Sequence, residues 1–142
     1  MNLYYLSMIL VIGSNVIYHI CQKYTPEKIN PMAAMVVTYA TALSVSLIIF
    51  FIYPSRESFI DSFKEVNWAS FVLGITIVGL EVGFLLVYRS GGNISLASLI
   101  ANVILAVLLV PVGLLMFKEH ISAKNVIGIV LSIIGIVFVS QK

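Results

Sequence analysis

Residues 93–142 read NISLASLIANVILAVLLVPVGLLMFKEHISAKNVIGIVLSIIGIVFVSQK. Two apolar runs, 94–117 and 126–140, are joined by a short connector carrying Lys118, Glu119, His120 and Lys124. A helix rises about 1.5 Å per residue, so the first run crosses a hydrocarbon core of about 30 Å and the second nearly does. A polar hairpin between two such runs marks a return through the bilayer, because lipid tolerates only backbone whose hydrogen bonds are closed internally. The reading is an all-α integral membrane protein.

Composition agrees. The 142 residues are 61% hydrophobic and 10% charged. Soluble domains carry about 25% charged residues, so this chain lacks the charge to solvate a surface. A net charge of +2 is too small to suggest nucleic-acid binding. The single cysteine, Cys21, excludes an internal disulfide and offers no metal-ligand spacing, so no metal or cofactor is expected. SGGN at 90–93 is a turn signal rather than a phosphate-cradling loop, and no nucleophile–base pair stands out, so no enzyme is expected. The opening MNLYYL lacks the positive region of a signal peptide, which predicts that the first apolar run is retained.

Working outward, the spans are expected at about 3–21, 32–52, 68–88, 94–117 and 126–140, within one domain over 1–142. Tyr4, Tyr5 and Tyr24 flank the first as an aromatic belt, and Pro26 and Pro31 break the following loop. The charged segment SRESFIDSFKEVN at 55–67 repeats Phe59, Ile60, Phe63 and Val66 at helical spacing, with Ser58 and Asp61 placed for a capping box. It reads as a short helix lying in the interface. Five spans put Arg56, Lys64, Lys118 and Lys124 on one face and Lys23, Lys28, Arg89 and Lys142 on the other. Four minus four leaves no positive-inside bias, so the chain can insert both ways and two opposed copies can pair.

Glu81 is the only acidic residue inside a span. An ionisable group at that depth is costly and marks a functional site by default. A carboxyl in a low-dielectric medium holds its proton more readily than one in water, which suits a proton carrier. The alternative is a glutamate, protonated or paired with Arg89, that only fixes helix packing. Counting helical rise from the span ends places Asn15, Glu81 and Asn102 at a common depth of about 18–20 Å from one face. Ser95, Ser98 and Asn102 follow i, i+3, i+7 spacing, a single polar stripe. Asn15, Glu81, Ser98 and Asn102 are therefore expected to line a polar cavity, with Tyr18 and Tyr88 as walls. The blander reading of the serines is hydrogen-bond glue between helices. His19 reads as interfacial.

A Pro111-bearing helix, Glu119 in a short hairpin and a closing helix with Gly128 and Gly135 resemble the second half of an EamA domain, the repeat unit of the drug/metabolite transporter superfamily. The earlier spans, with the first ending near Lys23, extend the resemblance over nearly the whole chain. The resemblance implies a multi-pass cell-membrane transporter of which this chain supplies one five-helix repeat. Larger members join two repeats of inverted topology around a substrate cavity. The smaller multidrug-resistance members work as antiparallel dimers. Their last helix pairs through glycines seven residues apart, which Gly128 and Gly135 match, with Ser132 on the same face; close approach at small residues favours helix association in any membrane. Those members also carry a glutamate eight residues before a lysine in the first helix. Here Asn15 stands at that place, so their glutamate does not carry over.

These readings converge on a secondary transporter of a small metabolite or drug-like solute, an inverted homodimer coupled to protons through Glu81. The alternatives are a non-transporting membrane subunit that assembles with another EamA-type chain, or a flippase for a lipid-linked substrate. Glu119 is expected to cap the last helix or pair with Lys118 or Lys124.

Overall fold

The computed structural model describes residues 2–53 and 59–140. Six helices form among them: α1 (Leu3–Tyr24), α2 (Pro31–Ile52), α3 (Phe59–Lys64), α4 (Trp68–Arg89), α5 (Ile94–Met116) and α6 (Ala123–Ser140). α1, α2, α4 and α5 are long and apolar enough to cross a membrane, and α6 is an apolar helix of shorter length. The expected spans therefore coincide with helices. α1 runs three residues past its expected end, and α6 starts three residues earlier than expected.

Helix starts are set by short polar side chains. Asn30 accepts the Met32 N–H at 2.8 Å ahead of Pro31, which needs no amide partner in the first turn. Asn67 accepts from Ala69 and Asn93 from Ser95. Ser122 accepts from Asn125 and opens α6. The Ser58 half of the anticipated capping box lies outside the described residues. Within α3, Asp61 and Lys64 pair at 2.6 Å, both exposed.

The chain divides into two compact units. One comprises Met1–Ile20 and Ser90–Lys142, in which α5 packs on α6. The other is Cys21–Arg89, in which α2 packs on α4. In the α5–α6 hairpin, Lys118 adopts a left-handed conformation at φ 53° and turns the chain back. The Glu119 N–H then donates to the Gly113 carbonyl at 3.0 Å. The Glu119 carboxylate lies so close that a Cβ on Gly113 would stand 2.6 Å from Oε2. Glu119 thus closes α5 instead of capping the last helix, and it forms no ion pair with Lys118 or Lys124 among the described residues.

Among the described residues the buried apolar side chains are Met35, Leu85 and Tyr88, while the remaining Leu, Ile, Val and Phe residues lie largely exposed. Such a surface suits hydrocarbon. In lipid, helices associate through close packing and hydrogen bonds instead of water exclusion. Three hydroxyls of α2 are satisfied locally: Thr41, Ser44 and Ser46 each donate to the carbonyl four residues back.

Candidate functional site

The α2–α4 unit holds the ionisable residue that the sequence singles out. Glu81, Leu85 and Tyr88 recur at i, i+4, i+7 and form the buried face of α4. Met35 is the buried residue of α2, and Tyr39 follows it by one turn. Glu81 is 8% exposed, and its Oε2 is buried without a hydrogen-bond partner. The Tyr39 hydroxyl is in the same condition. The two groups belong to helices that pack on each other. Arg89 Nε, at the end of α4, is also buried without a partner. Buried polar atoms almost always find partners, so the unmatched Glu81 and Tyr39 oxygens are open capacity for a proton, a water or a polar group of a solute. Tyr39 was not anticipated. Its signal was a lone hydroxyl-bearing aromatic in an uncharged span, with nothing in the local pattern to fix its face.

The end of α1 is fastened to α4 by Gln22 and Lys23. Gln22 is buried and its Nε2 donates to the Glu81 backbone carbonyl at 3.4 Å. Lys23 donates to the Tyr88 carbonyl at 3.5 Å and stands 5.8 Å from the centre of the Tyr88 ring. Tyr88 stacks on Phe84. Arg89 does not pair with Glu81. Its Nη2 donates to the carbonyls of Pro26 and Ile29 at 3.0 and 2.9 Å, pinning the α1–α2 connector.

The other anticipated site residues belong to the α5–α6 unit. Asn15 and Asn102 are exposed, and Tyr18 is half-buried with its ring edge-on to His19 at 5.1 Å. The Ser98 hydroxyl donates to the Ser95 carbonyl at 3.2 Å, so it serves its own helix instead of bridging two. His19, read from sequence as interfacial, is 8% exposed and lines a cavity with Ser95 and Ser98. Gly128 and Gly135 have nothing within 4 Å of an added Cβ, and Ser132 donates to the Gly128 carbonyl at 2.9 Å. This small-residue face of α6 is therefore open. Among the described residues no group of histidine, cysteine and acidic side chains is arranged to hold a metal.

Comparison with known families places this architecture. The EamA-like transporter family matches residues 2–141. The chain belongs to that family. No curated protein and no solved structure matches it. Membership of an EamA-like transporter family, together with four helices able to span, makes the chain a multi-pass membrane protein of transporter type.

Proposed function

We propose that this EamA-family chain is a proton-coupled secondary transporter of a small metabolite or drug-like solute in the cell membrane, with five spans forming one repeat of an inverted homodimer. The observation that carries the reading is Glu81, a buried carboxyl in a span whose Oε2 is unmatched, on a helix packed against the one that carries the unmatched Tyr39 hydroxyl. A carboxyl held this way exchanges a proton for a solute contact, and the two occupancies exclude each other. Tyr88 beside Glu81 in one unit, and Asn15, Tyr18, Ser98 and Asn102 in the other, are the further solute contacts proposed, each within its own unit. The open face of Gly128, Ser132 and Gly135 supports pairing of α6 with a second copy, since small residues let helix backbones approach closely. The even division of Lys and Arg supports insertion in both directions.

The test uses proteoliposomes with an imposed pH gradient and a panel of labelled amphipathic metabolites and drug-like cations. Glu81→Gln keeps the size and polarity of the side chain and removes its titration. The variant is expected to insert normally and to lose gradient-driven uptake of every solute that the wild-type chain moves. Uptake that still responds to the gradient in Glu81→Gln refutes coupling at this residue.

A further inference from the structure

We infer that Glu81 and Tyr39 together bind the protonated primary amine of a small aliphatic solute. The inference rests on the transporter reading and names its substrate class. Its ground is the level at which the two unmatched oxygens stand within the Cys21–Arg89 unit. Arg89 ends α4 and donates to the Ile29 carbonyl, just ahead of the start of α2 at Pro31. The end of one helix is thereby tied to the start of the other. Tyr39 lies eight residues after Pro31, and Glu81 lies eight residues before Arg89. At about 1.5 Å per residue, both stand about 12 Å from that tie. Met35 and Leu85, four residues along from the same two points, are buried and form an apolar layer between the tie and the pair. Glu81 itself is 8% exposed.

The surroundings set the sign of the ligand. α2 carries no charged residue, and Tyr39 is the group it contributes at this level. On α4 the other charged residue is Arg89, two turns away, whose Nη2 is spent on the Pro26 and Ile29 carbonyls. From the end of α1, Lys23 donates to the Tyr88 carbonyl, also about two turns from Glu81. Glu27 and Lys28 lie in the connector beyond. The ion pair found among the described residues joins Asp61 to Lys64 in α3. Once its proton leaves to water, Glu81 is a buried carboxylate with no cation beside it, and an uncompensated buried charge is costly. The solute that takes the proton's place therefore brings a positive charge. The two oxygens set its form, since both accept hydrogen bonds. A primary ammonium has three N–H groups and serves both. A quaternary ammonium has none and leaves both unmet, and an alcohol leaves the charge uncompensated.

The probe is radiolabelled pentan-1-amine, bound at fixed pH to the full chain in lipid nanodiscs, with binding to empty nanodiscs subtracted. Unlabelled pentyltrimethylammonium, pentan-1-ol and pentanoate compete against it. The amine is expected to bind saturably. Each hydrogen bond to a charged group is worth about tenfold or more, so the quaternary ion is expected to compete about a hundredfold more weakly, and the alcohol and the carboxylate not at all. Glu81→Gln is expected to abolish saturable binding. Tyr39→Phe is expected to weaken the amine about tenfold and to leave the quaternary ion unchanged. No saturable binding, equal competition by the quaternary ion or the alcohol, or unchanged amine affinity in either variant overturns the site. Uptake separates this claim from the reading beneath it. Gradient-driven uptake of carboxylates or neutral solutes alone, lost in Glu81→Gln, overturns the amine class and leaves the coupling intact. Saturable amine binding that needs Glu81, without gradient-driven uptake, supports the site and defeats the coupling.

Discussion

At the scale of single residues, Glu81 and Tyr39 show what the chain announces and what it conceals. A carboxyl in the middle of an apolar run is conspicuous in sequence because nothing apolar compensates its burial. A tyrosine in such a run is not, since an aromatic ring is at home on any face of a membrane helix and only packing decides where its hydroxyl goes. The Tyr39 hydroxyl has no hydrogen-bond partner, so deleting it removes an unmet group and no bond. Tyr39→Phe is expected to leave thermal stability in detergent unchanged or slightly raised, because loss of an unpaired buried polar group is near neutral. The same variant is expected to alter the pH profile of uptake, since the hydroxyl and the Glu81 carboxyl are both unmatched in the packed α2–α4 pair. A loss of more than about 1 kcal/mol would show instead that the hydroxyl is bonded in the native state. His19 was concealed for a related reason: its distance from a helix end suggested an interfacial position, while its burial depends on the neighbouring helix.

At the scale of elements, the helices were legible because apolar length and Asn, Ser and Pro signals set their limits almost unaided. The hairpin between α5 and α6 was less so. Its geometry turns on Lys118, a residue with no special claim to a left-handed conformation, and that turn delivers Glu119 to α5 instead of α6. A β-carbon makes the left-handed region costly, so Lys118→Gly is expected to raise thermal stability by about 1 kcal/mol and Lys118→Val to lower it. Equal melting temperatures for the two variants would contradict the turn. The connector between α1 and α2 depends on a different device, the Arg89 guanidinium across the Pro26 and Ile29 carbonyls. Arg89→Ala is expected to speed amide exchange and proteolysis within residues 25–30 while α2 and α4 retain their protection. Unchanged exchange in the connector would mean that the loop is held by its own turn.

At the scale of the whole molecule, family membership and the spanning helices give a transporter-type membrane protein, and the remaining question is how one repeat makes a transport path. Charge balance supplies the answer proposed here. Lys118→Gln with Lys124→Gln leaves four basic residues against two and biases insertion one way; Lys28→Gln with Lys142→Gln biases it the other. Each variant alone is expected to be inactive, and co-expression of both is expected to restore uptake. Sequence could carry this far because topology depends on counts of Lys and Arg, whereas the identity of the bound solute depends on side-chain placement that counts do not encode. The most direct test of an inverted pair is orientation itself. Single cysteines at Ser55 and Gln141, in a Cys21→Ser background, are labelled from each side of sealed vesicles with an impermeant maleimide. The account predicts that each site labels in part from both sides. Labelling of each site from one side only would contradict the inverted homodimer.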